Sequence, residues 1–125
     1  MPNMTHPENI LLVLVTMPDR AQGERLAAAL VENRLTACVN LFSPCTSVYR
    51  WQGEVERAEE IPLFIKSDRA HYPELEAFIR AHHPYEVPEI IALPLTCGLP
   101  AYLDWVGRMG EAEENPASGK DLPCA

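Results

Sequence analysis

The chain has few basic residues for its length. Its 125 residues contain 10 lysines and arginines against 18 aspartates and glutamates, so the formal net charge is −8 at pH 7 with neutral histidines. Proteins that bind nucleic acid or an anionic membrane surface usually present a basic face to it. This charge balance argues against both kinds of partner, and it leaves metal cations and basic partners open.

Long hydrophobic runs are also absent. No apolar stretch reaches the roughly 18 residues that are needed to cross a bilayer, and residues 1–9 have neither a basic start nor an apolar signal core. We therefore expect a cytoplasmic protein. A hydrophobic content of 47% over 125 residues fits one domain with a single core.

Several motifs of catalysis and metal binding are missing as well. The four cysteines form no C-x-x-C pair, so we expect reduced thiols without a zinc site. There is no glycine-rich phosphate loop, no H-E-x-x-H and no G-x-S-x-G. His83 and Glu86 are an acid and a base in principle, but no nucleophile accompanies them, and we predict that the protein is not an enzyme.

Hydrophobic patterning predicts alternating strands and helices. The predicted elements are a central strand at residues 10–16, a helix capped by Asp19, strands at 36–51 and 54–67, a helix at 69–82 capped by Asp68, a strand at 89–95 and a helix opened by Pro100. This order predicts the α+β class, as a ferredoxin-like βαββαβ sandwich with an extended hairpin between its second and third strands and a C-terminal helix. The predicted domain covers residues 10–109, between an N-terminal extension (1–9) and a disordered tail (110–125).

The predicted hairpin is too long for a compact domain of this size. Strands of about 15 residues make an arm of roughly 50 Å, whereas a compact domain of this length has a diameter of about 36 Å. A tight turn at Gln52 and Gly53 closes the arm, which carries Val48, Tyr49 and Trp51. A two-stranded ribbon is marginally stable alone. We therefore predict that the arm packs on another subunit.

The densest cluster of site-forming groups lies at residues 82–89. Pro84 and Pro88 restrict the backbone there, so the turn is stiffened by its sequence. Its candidate site residues are His82, His83, Tyr85, Glu86 and Glu89. His82 continues the apolar side of the preceding helix, and we expect His83 to point elsewhere, into an exposed polar site. The alternative is that the turn is rigid only to direct the next strand.

A second hypothesis is a ligand cleft between subunits. It combines the turn at residues 82–89 with Trp51, Lys66 and Tyr102, and Lys66 would bind an anion. Each of these three side chains also has a structural interpretation. Lys66 is then a solvent-reaching strand end, Trp51 an interface anchor and Tyr102 a core residue.

Five motifs in the chain resemble the CutA divalent-cation-tolerance family. They are LVLVTMPD (12–19), LTACVN (35–40), SVYRWQG (47–53), HPYEVPEII (83–91) and YLDW (102–105). The resemblance covers about residues 10–106. It implies a ferredoxin-like subunit in a tight homotrimer, whose long hairpins complete the sheets of neighbouring subunits, with an architecture similar to that of PII signalling trimers.

The resemblance also implies a metal site. In this family copper is proposed to bind at paired histidines, here His82 and His83, together with a cysteine of the first strand, where this chain has Val15. Loss of the cysteine disfavours Cu(I), which prefers sulfur ligands. We therefore predict a homotrimeric, non-catalytic divalent-cation-tolerance protein that binds Cu(II) or another divalent metal weakly. The alternative is a PII-like signalling or adaptor trimer that binds a small anion or a protein partner at clefts between subunits.

Overall fold

The computed structural model describes residues 5–112. A short 3-10 helix, Pro7–Asn9, precedes the domain. The strands are β1 (Ile10–Met17), β2 (Cys38–Leu41), β3 (Cys45–Trp51), β4 (Glu54–Asp68) and β5 (Ile90–Pro94), and the helices are α1 (Arg20–Glu32), α2 (Tyr72–His82) and α3 (Pro100–Gly107). The predicted disordered tail lies outside the described residues from position 113 onward.

The strands form one antiparallel sheet in the order β2-β4-β1-β5, and β3 pairs with the N-terminal half of β4. The helices α1 and α2 cover one face of this sheet, and α3 lies at one end of the other face. This is the predicted α+β, ferredoxin-like sandwich with a C-terminal helix.

The first strand is central, as its continuous apolar sequence predicts. Its residues alternate between two environments because successive side chains of a strand point to opposite faces. Val13 and Val15 are buried under the helices, whereas Leu12 and Leu14 on the other face are only partly buried. The strand lies between β4 and β5, and its face beneath the helices supplies Val13, Val15 and Met17 to the core.

The helix α1 begins at its predicted cap. The Asp19 carboxylate accepts a hydrogen bond from the backbone N–H of Gln22 (2.8 Å), which satisfies one free donor of the first turn. Leu26 and Leu30 face the core. Val31, which the helical spacing also assigns to the inward side, is 42% exposed, so that assignment is wrong.

The helix α2 begins three residues later than predicted. Asp68 is the last residue of β4, and its Oδ1 accepts a hydrogen bond from the backbone N–H of His71 (2.9 Å). The carboxylate therefore organises the turn before the helix, and α2 starts at Tyr72 with Pro73 in its first turn.

The hairpin is long and overhangs the domain, as predicted. Residues 54–60 of β4 pair only with β3, whereas β1 pairs with β4 from Ile61 onward. Gln52 and Gly53 form the turn with φ of 51° and 84°, the left-handed pair that a two-residue hairpin requires. The predicted second strand is interrupted, because residues 42–44, which include Pro44, separate β2 from β3.

Three further features complete the fold. Cys45 and Cys97 have free thiols, as predicted. Within residues 5–112 no helix is long and apolar enough to cross a membrane.

The sheet face opposite α1 and α2 exposes large apolar side chains, with Ile91 and Leu93 each about half exposed.

Candidate functional site

The turn between α2 and β5 is fixed to the sheet by His83. Its Nε2 donates to the carbonyl oxygen of Thr16 in β1 (2.8 Å), and its Nδ1 accepts from the backbone N–H of Tyr85 (3.1 Å). Both ring nitrogens are therefore used, and the imidazole is neutral with its proton on Nε2. His83 is only 8% exposed. The expectation that His83 forms an exposed polar site is thus wrong, because the ring turns inward to pair with a strand carbonyl.

His82 has the opposite environment. It is exposed at the end of α2, and its ring stacks on Phe78 with centroids 4.1 Å apart. Its Nδ1 donates to the Phe78 carbonyl oxygen (2.8 Å), which leaves the Nε2 lone pair available to a ligand. The ring borders a pocket of about 250 Å³ between α1 and α2 that also contains Met17 and Arg25. The two histidines point in different directions, as predicted.

Tyr85 connects the turn to the base of the hairpin. Its hydroxyl donates to Oε2 of Glu60 in β4 (2.9 Å). Burial, together with the hydrogen bond to Glu60 and the charge of that carboxylate, raises the pKa of Tyr85 to about 12. The phenol therefore stays protonated and holds the carboxylate across the full physiological pH range.

Glu60 and Tyr85 lie at the base of a groove between the hairpin and the turn. The groove has a volume of about 700 Å³. Its lining residues are Thr16, Ser47, Val48, Tyr49, Trp51, Glu60, Pro84, Tyr85, Glu86, Val87 and Glu89. The lining contains three aromatic and three acidic side chains and no lysine, arginine or histidine. We call it the hairpin groove.

The hairpin groove brings together four of the six residues predicted for a ligand cleft. These four are Trp51, Tyr85, Glu86 and Glu89. Lys66 and Tyr102 lie elsewhere in the chain. The Lys66 ammonium group contacts the side-chain oxygen of Asn40 on β2, and partial burial lowers its pKa. Tyr102 lies on α3 against Trp105, with ring centroids 5.6 Å apart.

Metal donors are dispersed among the described residues of the chain. Within residues 5–112 no three side chains of histidine, cysteine, aspartate or glutamate are placed to hold a metal ion together. Val15, at the position of the family's proposed cysteine, is 1% exposed in the core beneath the helices. Residues 5–112 of one chain therefore offer at most a weak, low-coordination site such as the Nε2 of His82.

Glu60 and Tyr49 are groove residues that the sequence did not identify. Glu60 stands directly before the apolar segment of β4, so its position in the sequence resembles that of an ordinary exposed strand residue. Only the pairing of β3 with β4 and the return of the turn enclose it. The one available signal was the alternation of glutamates along residues 54–60, which places several carboxylates on one face.

Sequence and fold both match one family. Residues 11–109 match the CutA1 divalent ion tolerance protein family. "Protein CutA" of Mus musculus is 43% identical over 117 residues, which cover 94% of this chain and 65% of the mouse protein. The "Divalent-cation tolerance protein CutA" of Thermus thermophilus is 47% identical over 95 residues, which cover 76% of this chain and 92% of that protein.

Solved structures give the same result. The Thermus thermophilus divalent cation tolerance protein superposes with a TM-score of 0.77 at 46% identity, covering 78% of this chain and 95% of that one. The structure of the periplasmic divalent cation tolerance protein CutA from Archaeoglobus fulgidus has a TM-score of 0.78 at 34% identity, covering 82% of this chain and 99% of that one. With its fold, its motifs and most of its length in common with these proteins, the chain belongs to the CutA1 divalent ion tolerance protein family.

Proposed function

We propose that this protein acts in divalent-cation tolerance as a non-catalytic, cytoplasmic homotrimer that binds Cu(II) or another divalent metal weakly through His82. Membership of the family supports the role in tolerance. The observation that carries the metal assignment is the free Nε2 of His82 at an exposed helix end. The cytoplasmic location stays a prediction, and the Archaeoglobus fulgidus relative is named periplasmic.

Weak binding follows from the number of ligands. His83 has no free ring nitrogen, so the pair of adjacent histidines does not act as a chelate within one chain. A single imidazole leaves most positions of the metal to water, because residues 5–112 bring no group of three metal donors together at His82. A metal also competes with a proton for the imidazole nitrogen, so binding should weaken as the pH falls.

The experiment is a calorimetric titration of the protein with Cu(II) and Zn(II). The variants are His82→Ala, His83→Ala and, as a control for adventitious binding, His6→Ala, whose side chain is 73% exposed at the N-terminal end of the described residues. We expect His82→Ala to lose the binding heat and His6→Ala to keep it. Unchanged affinity in His82→Ala would contradict the assignment. If a folded His83→Ala protein loses the binding heat and His82→Ala keeps it, the metal binds at His83 instead.

The homotrimer is supported by two surfaces that residues 5–112 of one chain leave exposed. The hairpin projects beyond the sheet with Val48, Tyr49 and Trp51 about half exposed, and the open sheet face exposes Ile91 and Leu93. Contiguous apolar surface of this kind is typical of an interface. The number three comes from the family resemblance.

A PII-like adaptor trimer is the second candidate. The hairpin groove supports it, because four of the predicted cleft residues meet there within one chain. The groove has acidic residues and no basic ones, so it favours a cationic ligand or a protein partner over the small anion that the sequence suggested. Titration with phosphate and citrate tests this point. We expect no binding heat from either, and saturable binding would restore the anion hypothesis.

A further inference from the structure

The cavity between α1 and α2 lies on the helical side of the sheet. It has a volume of about 250 Å³. Its lining, which the described residues supply, includes no residue of the hairpin, of β5 or of the hairpin groove. The surfaces that favour a contact between copies are the hairpin and the opposite sheet face, so covering them does not close this cavity. We call it the helix pocket.

The deep part of the helix pocket is apolar. Met17 at the end of β1 and Leu26 on α1 are 1% and 4% exposed and lie deepest in it. Ala29 and Phe78, which are both partly buried, line its sides. Pockets for drug-sized ligands commonly have about 300–1,000 Å³. A slightly smaller pocket with apolar walls suits a molecule of few atoms that has an apolar part.

Arg25 is the one arginine or lysine that lines the helix pocket in the described part of the chain. No carboxylate oxygen of residues 5–112 lies within 4.0 Å of its guanidinium nitrogens, and none of their acidic side chains lines the pocket. The hydrogen bonds from Gln22, and then the charge of Arg25, lower the pKa of Asp19, but both oxygens of Asp19 accept from Gln22. Arginine binds carboxylates through two parallel charge-assisted hydrogen bonds. Its guanidinium is therefore available to the carboxylate of a ligand.

The helix pocket also has two hydrogen-bond acceptors. Nδ1 of His82 donates to the Phe78 carbonyl oxygen, so Nε2 is an acceptor in the neutral ring. The amide nitrogen of Gln22 donates to Asp19, which leaves the amide oxygen of Gln22 as the second acceptor. A cationic donor, two acceptors and apolar walls together match a molecule that has a carboxylate, an ammonium group and an apolar side chain.

The charge of the whole chain favours a ligand without net charge. A formal net charge of −8 opposes the accumulation of anions, whereas a zwitterion is not repelled. We propose that the helix pocket binds a small apolar amino acid. Its carboxylate pairs with Arg25, its ammonium group donates to Nε2 of His82, and its side chain packs on Met17 and Leu26. This activity goes beyond metal binding at His82 and requires no metal.

Free L-leucine is a suitable probe because two analogues each lack one of its charges. The analogue 4-methylpentanoate has no ammonium group, and 3-methylbutylamine has no carboxylate. Binding is measured by calorimetry on the full-length protein after metal has been removed with EDTA and dialysis. We expect leucine to bind saturably and each analogue to bind at least about tenfold more weakly, because each loses a charge-assisted hydrogen bond. No binding of leucine, or an analogue that binds as tightly as leucine, would overturn the proposal.

Two pocket variants and one control locate the site. Arg25→Gln removes the partner of the carboxylate and should weaken leucine binding at least about tenfold. Ala29→Leu keeps that charge but fills the pocket, so we expect a similar loss. Arg80→Gln removes the same charge from an exposed position of α2 outside the pocket and should leave the affinity unchanged. Parent affinity for leucine in both pocket variants, or an equal loss in Arg80→Gln, would refute the site.

His82→Ala tests the position of the ammonium group. This variant should reduce the preference for leucine over 4-methylpentanoate to less than about threefold, because the acceptor of the ammonium group is gone. An unchanged preference would show that the ammonium group does not meet His82, and the proposal would be wrong. Because metal is absent from these titrations, a parent that binds leucine but not Cu(II) would support this inference and contradict only the metal site.

Discussion

At the scale of single residues, two adjacent histidines have unrelated roles. His82 is exposed and has a free ring nitrogen, whereas His83 links β1 to the turn through both of its nitrogens. The alternative that the turn is rigid to direct the next strand is therefore supported for His83. A buried side chain with two fixed hydrogen bonds stabilises one conformation of the loop.

Replacing His83 by alanine should lower the free energy of unfolding by about 2–4 kcal/mol. The substitution leaves the Thr16 carbonyl and the Tyr85 N–H without their partner and opens a cavity. The matched change His82→Ala, at an exposed position, should cost less than about 1 kcal/mol. Urea denaturation measures both, and similar losses in the two variants would show that His83 is not an anchor.

The Tyr85–Glu60 pair predicts how stability depends on pH. Burial first, and then Glu60, raise the pKa of Tyr85 from 10.0 to about 12. A group whose pKa is higher in the folded state stabilises the fold fully below its unfolded pKa, and this contribution is lost as the pH rises through the folded value. The parent should therefore lose stability between pH 10 and about 12.

Burial and Glu76 raise the pKa of Tyr72 to about 12, so this residue contributes to the loss of stability in the same pH range. Chemical denaturation at several alkaline pH values measures this effect. The Tyr85→Phe and Tyr72→Phe variants should each lose less stability than the parent as the pH rises. Phenolate absorbance follows the titration directly. A parent protein that loses its stability below pH 10 would contradict this account.

At the scale of secondary structure, the hairpin is the element that creates the groove. The two-residue turn fixes the register, so Trp51 meets Glu54 and every later pair follows from it. A shift by one residue would place Tyr49 and Trp51 of β3 on the same face as Arg57 of β4 instead of the face of Glu54, Glu56 and Glu60. The register is therefore a condition for the groove.

Gly53→Ala should destabilise the protein by about 1 kcal/mol. Gly53 has φ of +84°, which a residue with a Cβ adopts only with strain. A Cβ built there contacts nothing within 4 Å, so the cost comes from the backbone alone. Glu54→Ala, the next residue, is the control and should change stability by less than about 0.5 kcal/mol. Equal effects in thermal unfolding would exclude backbone strain as the cause.

At the scale of the whole molecule, the described residues cover one face of the sheet with α1 and α2, and the other face only at one end, with α3. The helices α1 and α2 bury Val13, Val15 and Met17, whereas the opposite face presents Leu12 and Leu14 of β1 beside exposed residues of β5. Burial of such a face is the main driving force for association. The hairpin and this face are both uncovered, which favours an assembly in which each subunit covers its neighbour.

Leu93→Glu should dissociate the assembly. Leu93 is 48% exposed and lies opposite Leu12 on the open face, so a charge there would be buried in the proposed interface. Sedimentation of the parent should give three times the 14.0 kDa of one chain, and the variant should sediment near 14.0 kDa. Val31→Glu, on the exposed side of α1, should not change the mass. A parent of 14.0 kDa at micromolar concentration would contradict the trimer.

The sequence alone determined the architecture. The continuous apolar run at residues 10–16 identified the central strand, Asp19 the start of α1, and Gln52-Gly53 the hairpin turn. These features depend on interactions between residues close in the chain, or on one residue's conformational preference, so they can be read locally. The family also followed from short motifs in fixed order.

Tertiary structure decided which chemistry the site offers. His83 was expected at the surface, but its Nε2 donates to the carbonyl oxygen of Thr16, 67 residues away in the chain, and this pairing buries the ring. The sequence around Glu60 did not indicate a site. Glu60 lines the groove in the folded chain, where the hydroxyl of Tyr85, 25 positions away, donates a hydrogen bond to it. Hydrogen bonding and burial between distant segments depend on how the sheet brings them together, and no local pattern contains that information.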